Sequence, residues 1–213
     1  MTEPTRKQHW ESVYASKGVT EVSWYQKEPR LSLKLIRKFA PFEGGRIIDV
    51  GGGASVLVDG LLNLGFERVA VLDVSETALE KARERLGERA REVAWITADV
   101  TVARDLGTFD LWHDRAVFHF LTDENDRRKY VELAMRCIPA GGHMIVATFA
   151  DDGPAECSRL PVRRYNAASM AAELGRGFAL VEEARELHPT PLGSSQSFFY
   201  GVFERIQQPR DMR

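Results

Sequence analysis

Three carboxylates in this chain each close an apolar run: Asp49 in "GRIIDV", Asp73 in "RVAVLDVS" and Asp99 in "EVAWITADV". Between the first two lies "GGGAS", Gly51 to Ser55. Glycine there permits a sharp turn out of a strand and lets a ligand approach the backbone. Asp73 stands 20 residues after Gly53, where an acid ending a second strand can accept hydrogen bonds from both hydroxyls of a ribose. An acid in that place can instead cap the next helix, but Ser75 is available for that task. Three acids at successive strand ends are more than capping needs. A dinucleotide fingerprint wants a glycine or alanine where this chain has Val56, and Asp49 would repel a pyrophosphate while it would pair with an amine. These residues describe a site for a nucleoside with a positive tail.

The elements that must hold them alternate. "GRIIDV" reads as a buried strand, "SVLVDGLLNLG" as a helix closed by glycine and "RVAVLDVS" as a second strand, which is a βαβ unit with parallel pairing. The alternation continues through "SETALEKARERL", "EVAWITADV", "FDLWHDRAVF", "ENDRRKYVELAMRCI" and "HMIVATF". It then reaches a helix, "NAASMAAELG", and two strands, "FALVEEARELH" and "QSFFYGVFERI", close enough in sequence to be antiparallel neighbours. The expected fold class is α/β: a seven-stranded, mostly parallel sheet with helices on both faces and an antiparallel last strand.

Composition narrows the function. A chain of 213 residues with 44% hydrophobic residues is sized for one core. Its 29 basic and 31 acidic residues are interspersed, with a net charge of −2, so no footprint for nucleic acid or an anionic membrane is expected. No apolar run approaches the roughly 20 residues that span a bilayer. Cys137 and Cys157 form no metal-ligand motif, and "MTEPTRKQHWESVY" has no apolar signal core, so a metal-free, cytoplasmic protein is expected.

"DVGGGAS", "LDVS" and "ADVT", in this order at their strand ends, resemble the cofactor motifs of class I methyltransferases that use S-adenosylmethionine. The resemblance runs from about Trp10 to the C-terminus and implies a Rossmann-like fold. It implies that Asp49, Gly51, Gly52 and Gly53 line the methionine end, that Asp73 with Val74 holds the ribose, and that Asp99 with Val100 reads adenine. Trp24 and His113 complete the implied cofactor set. Ser55 stands where the family loop has its third glycine. "HWESVYASKGVTEVSWYQ" resembles the N-terminal segment of small methyltransferases whose aromatic residues, here Trp10, Tyr14, Trp24 and Tyr25, close over the cofactor. "HDRAVFHFLTD" resembles a D-[RK]-G motif with Ala116 in place of glycine. That motif recurs in thiopurine and related small-molecule methyltransferases and in enzymes that methylate lysines of elongation factor 1A or citrate synthase. "CSRLPVRRY" and "HPTPLGSSQSFFYGVF" resemble a bacterial group of such proteins. The implied organisation is a cofactor lid over residues 1–30, a methyltransferase domain over 31–207 and a tail over 208–213.

In an open α/β sheet the ligand crevice lies outside the carboxyl ends of the strands. The loops there offer His113, Asp114, Arg115 and His119, then Cys157, Arg164 and Tyr165, then His188 and Gln196. Asp114 and His119 are the candidates for a base; Arg115, Arg164, Tyr165, His188 and Gln196 are the candidates for substrate contact. Each has a plainer alternative as a core, capping or ion-paired residue. Methyl transfer from a sulfonium is an in-line displacement, so alignment and exclusion of water supply most of the catalysis. Arg159, Arg163 and Arg164, partly offset by Asp151 and Asp152, would repel a cationic lysine and favour a small anionic or neutral acceptor. A protein lysine stays open as the alternative acceptor. Two readings of other classes also stand: an NAD-dependent dehydrogenase, against which Val56 and Asp49 speak, and a non-catalytic nucleoside-binding module.

Overall fold

A computed structural model describes residues 5–41 and 44–207; the expected tail at 208–213 and the first four residues of the expected lid lie outside the described residues. One seven-stranded sheet is built from β1 (Arg46–Val50), β2 (Arg68–Asp73), β3 (Val93–Thr97), β4 (Leu111–Arg115), β5 (His143–Phe149), β8 (Phe178–Pro189) and β9 (Ser195–Arg205). A two-residue hairpin, β6 (Glu156–Cys157) with β7 (Leu160–Pro161), follows β5. The sheet order is β3-β2-β1-β4-β5-β9-β8, with β1 to β5 parallel and β9 antiparallel to both β5 and β8. This is the expected fold.

The central strands are buried on both faces because their alternating side chains feed two cores. Ile48, Val50, Trp112 and Met144 point to one side, where α5 (Glu124–Cys137) and α6 (Ala167–Leu174) contribute Tyr130, Leu133, Met170 and Leu174. Ile47, Val69, Leu111 and Ile145 point to the other, against Leu35 and Ile36 of α2 (Arg30–Phe39) and Leu57 and Leu61 of α3 (Leu57–Asn63). Each such aliphatic side chain, fully buried, contributes about 1.5–3 kcal/mol. Helix starts follow the side chains available: Ser75 caps α4 (Glu76–Leu86) by accepting from the Ala78 amide at 3.1 Å, and Asp123 caps α5 by accepting from the Asp126 amide at 3.1 Å.

Two features escape sequence patterning. The helix α1 (Arg6–Ser16) buries only Val13 and Tyr14, so it carries no apolar stripe to betray it. The β6–β7 hairpin is too short to alternate; its turn residues Ser158 and Arg159 have φ of 51° and 63°, the positive pair of a type I′ turn. No helix among the described residues is long and apolar enough to cross a membrane.

Candidate functional site

The glycine loop connects β1 to α3, and the three glycines make room first of all for the protein's own groups. A Cβ on Gly51, whose φ is +69°, would stand 1.9 Å from Val117 Cγ2. On Gly52 it would stand 2.5 Å from Asp49 Oδ2, and on Gly53 it would stand 2.9 Å from Asp73 Oδ2 and 3.0 Å from the Tyr14 hydroxyl. The loop, two of its acids and an N-terminal aromatic therefore meet at one point. The Gly51 amide donates to the Leu72 carbonyl at 2.6 Å, which ties the loop to the end of β2.

Two clefts open around this loop. The first encloses about 700 Å³ beside Asp73, Val74, Asp99, Val100, Trp10 and Cys157. The second encloses about 570 Å³ beside Asp49, Gly52, Ser32, His113, Tyr25 and Gln26. Tyr14, Trp24, Gly51 and Arg115 line both, so the clefts are two lobes of one site joined over the glycine loop. All ten residues expected to meet a cofactor fall in or directly against these lobes; Gly53 does so through its approach to Asp73 and Tyr14.

Each acid sits in a different electrostatic setting. Asp73 accepts from the Ser75 amide at 2.8 Å, while Ser75 itself caps α4, so the capping task leaves Asp73 free to face the cleft. Burial above all, with the Asp49 charge adding, pushes the Asp73 carboxyl up to about 7 against the opposing pull of the Ser75 amide. Asp49 Oδ1 accepts from His113 Nδ1 at 2.7 Å, and His113 Nε2 lies 3.0 Å from Ser32 Oγ. Asp99 accepts from Arg6 and from the Thr101 amide and hydroxyl. Burial alone would raise that carboxyl, but the Thr101 bonds and the Arg6 charge outweigh it and hold Asp99 below the ordinary carboxylate range.

The N-terminal segment roofs the site. Arg6 reaches Asp99 and Asp126, and Glu11 accepts from the Glu76 and Thr77 amides at the start of α4, where a negative charge is favoured. Lys81 Nζ donates to the Tyr14 and Lys17 carbonyls. Trp10 packs edge-on against Trp24 at 5.6 Å and Phe120 at 5.1 Å, and Tyr14 against Trp24 at 6.3 Å. The far end of the segment is stitched to the edge strand: His188 Nε2 donates to the Ser23 carbonyl at 2.8 Å and Gln26 donates to Glu186 at 3.0 Å.

Several expected reactive residues are elsewhere. Asp114 is fully buried on the opposite face of β4 from His113, where it accepts from the Val117 and Phe118 amides and from the Tyr130 hydroxyl at 2.6 Å. Burial pushes it up to about 6, and it holds the loop after β4 rather than facing the cleft. His119 is also fully buried, packed between Phe120 and Phe149; burial and the Arg115 charge push it down to about 3, and its Nδ1 accepts from the Phe149 amide. Neither expected base lines a lobe. Tyr165 is core, its ring tilted against Phe118 at 5.5 Å; Arg164 is exposed and donates to the Gly153 carbonyl. His188 and Gln196 are register partners across β8 and β9; neither lines a lobe, and His188 fastens the roof.

Arg115 lines both lobes. Its Nε donates to the Tyr200 hydroxyl at 3.0 Å and its Nη1 to the Trp24 carbonyl at 3.1 Å, while the guanidinium lies 4.2 Å over the Phe198 ring. Its Nη2 is buried 3.6 Å from Glu186 with no hydrogen-bond partner among the described residues. Cys157 lines the first lobe with its thiol pushed up by burial to about 11. Ala116, at the motif's glycine position, has a φ of 72°, the left-handed conformation that glycine adopts freely. Arg6 and Phe120 in the first lobe and Ser32 in the second are site residues that sequence reasoning missed, as is Glu11, which ties the roof to α4.

Residues 47–142 match a family described as a methyltransferase domain. The ubiquinone biosynthesis O-methyltransferase of Caulobacter sp. (strain K31) is 32% identical over 110 residues, covering 51% of this chain and 42% of that protein. The eEF1A lysine and N-terminal methyltransferase of Mus musculus is 27% identical over 128 residues, covering 55% of this chain and 17% of that protein. The chain thus spans less than half the length of these curated relatives. In fold, a SAM-dependent methyltransferase from Anabaena variabilis superposes with a TM-score of 0.78 at 16% identity, covering 95% of this chain and 96% of that one. The N-methyltransferase NodS from Bradyrhizobium japonicum, in complex with S-adenosyl-L-homocysteine, superposes with a TM-score of 0.69 at 18% identity, covering 92% and 98%. The ordered strand-end acids and the glycine loop thus lie in a stretch that matches a methyltransferase domain, and the sheet as a whole has the fold of the S-adenosylmethionine-dependent methyltransferases it superposes on.

Proposed function

We propose that the protein binds S-adenosylmethionine across both lobes and transfers its methyl group to a small molecule. The observation that carries this reading is the placing of Asp73 and Asp49 in adjoining lobes with the glycine loop between them. The residues fit the group: Asp73 would hold the ribose hydroxyls, Asp49 would hold the ammonium, and Val74 and Val100 would flank the adenine. Asp99 Oδ2, which among the described residues accepts only from Arg6, has a lone pair that would be open to the adenine amine. When bound, the cofactor supplies a sulfonium-activated methyl.

This chain's residues supply position and dryness. Trp10, Tyr14, Trp24 and Phe120 exclude water from the junction of the lobes, which strengthens every charge interaction inside it. With Asp114 and His119 withdrawn from the cleft, alignment of the acceptor carries the reaction. Arg115 lines both lobes, and its Nη2, paired with Glu186 at 3.6 Å but without a hydrogen bond, keeps a donor that favours an anionic or electron-rich acceptor over a lysine ammonium. That selectivity supports a small molecule over a protein substrate. The interspersed charges support a reaction away from nucleic acid and membranes, and the two free, buried cysteines support a cytoplasmic setting.

Calorimetric titration with S-adenosylhomocysteine tests the site. Asp73→Ala is expected to weaken binding by about 1.5–3 kcal/mol, the scale of a charge-assisted hydrogen bond. No binding by the unaltered chain at millimolar ligand overturns the cofactor reading. For the acceptor, radiolabelled methyl from the cofactor is expected in the small-molecule fraction of a lysate; label confined to one protein lysine overturns that choice.

A further inference from the structure

The wall of the second lobe contains a hydrogen-bonded chain that joins three elements. Asp49 on β1 and His113 on β4 are direct register neighbours, so their side chains share one face of the sheet. Ser32 comes from the first turn of α2, which packs on that face through Leu35 and Ile36. The distances are 2.7 Å from Asp49 Oδ1 to His113 Nδ1 and 3.0 Å from His113 Nε2 to Ser32 Oγ. Exposure is 3% for Asp49, 1% for His113 and 1% for Ser32, so no water competes for these bonds. A carboxylate only accepts, which assigns the donor hydrogen to Nδ1; Nε2 then accepts from the serine hydroxyl. The other carboxylate oxygen, Oδ2, stands over Gly52, 2.5 Å from where a side chain there would begin.

A carboxylate with one oxygen held in plane cannot swing about its terminal torsion, so Oδ2 keeps one direction. That direction is toward the glycine loop, and the element holding it, through Ser32, is the helix that follows the roof. The geometry points to His113 and Ser32 as positioning residues: they fix Asp49 for the charged amino-acid end of the ligand, and so make the site discriminate between an adenine nucleoside that carries that end and one that lacks it. The inference rests on the cofactor reading above. Asp73 makes no hydrogen bond to this chain of residues and lines the other lobe, so the nucleoside half of the ligand has its own holding group.

Two probes separate the halves: S-adenosylhomocysteine carries the amino-acid end, and 5′-methylthioadenosine lacks it. Calorimetry on the unaltered chain, His113→Ala, His113→Asn and Ser32→Ala is the experiment, with a thermal melt of each variant as the folding control. His113→Ala is expected to weaken S-adenosylhomocysteine about tenfold and to leave 5′-methylthioadenosine within about twofold, the scale of one charge-assisted hydrogen bond. His113→Asn, whose amide can donate to Asp49 as Nδ1 does, is expected to recover most of the loss. Ser32→Ala is expected to lose about threefold on S-adenosylhomocysteine alone, the scale of one neutral hydrogen bond. If His113→Ala does not fold, His113→Asn and Ser32→Ala carry the comparison. Equal losses on both probes, no loss on either, or no recovery with asparagine overturns the inference. Failure of the unaltered chain to bind either probe overturns the cofactor reading instead, and the inference with it.

Discussion

Replacing Arg6 with alanine removes the ionic fastening of α1 while leaving the sheet untouched. Arg6 Nη1 donates to both Asp99 oxygens at 2.9 and 2.7 Å and to the Thr101 hydroxyl at 3.1 Å, and Nη2 donates to Asp126 at 2.7 Å. A fully exposed ion pair contributes roughly 0.2–1 kcal/mol and a buried charge-assisted bond up to about 3. Arg6 is 31% exposed and its two acids 22% and 24%, which places the fork between those limits once solvent screening is allowed for. A local cost of about 1–2 kcal/mol follows, equivalent to a 5- to 30-fold larger open population of α1. Amide hydrogen exchange reads this directly. The amides of α1 that bond within the helix, such as His9 to Thr5 and Lys17 to Val13, are expected to exchange faster by that factor, while those of β1 and β4 stay unchanged. Exchange of α1 within about twofold of the unaltered protein, or a rise spread evenly through the sheet, refutes the latch.

Two further outcomes are expected. Ala116→Gly removes a left-handed strain of about 1–2 kcal/mol but frees the unfolded chain by about 0.4–1, so chemical denaturation is expected to show a change of less than about 1.5 kcal/mol in either direction; a larger loss means that the Ala116 methyl makes a contact the site requires. The carboxyls of Asp73 and Asp114 stand at about 7 and about 6, above their unfolded values, so their neutral forms favour the fold and their contribution falls as pH rises from about 4 to 7. Asp99 runs the other way, since its depressed value means stability lost as pH falls through it. Denaturation midpoints of Asp114→Asn are therefore expected to be flatter between pH 4 and 6 than those of the unaltered protein; an identical slope shows that Asp114 does not titrate there.

The cofactor half of the site was legible because strand-end acids and a glycine turn are local signals, and local signals survive without knowledge of packing. Asp73 is the clearest case: Ser75, two residues on, took the capping role and left the acid to the cleft. The substrate half was not legible, because it depends on register. Once Asp49 and His113 are paired, strand alternation sends Asp114 to the other face, toward Tyr130, and no local pattern states that pairing. Arg6 was hidden for a related reason: its partners Asp99 and Asp126 are 93 and 120 residues away, on a helix without an apolar stripe. His188 and Gln196 looked like loop-end substrate contacts, but strand β8 runs on through His188, whose side chain fastens the roof at Ser23, and Gln196 is its buried register partner on β9.

The roof's attachments also set an order of assembly. Its fastenings join residues separated by 93, 120, 160 and 165 positions, from Arg6 to Asp99 and Asp126, from Gln26 to Glu186, and from His188 back to Ser23. Contacts that close such long loops form late, whereas the strand pairings close shorter ones, with β1 meeting β2 from Arg46 to Arg68, β2 meeting β3 from Val69 to Val93 and β1 meeting β4 from Ile47 to Leu111. A refolding chain therefore pairs β1 through β4 and forms the glycine loop first and covers them last. The same ordering in reverse makes the cover the first part to come away under mild denaturant, so the site empties before the protein unfolds.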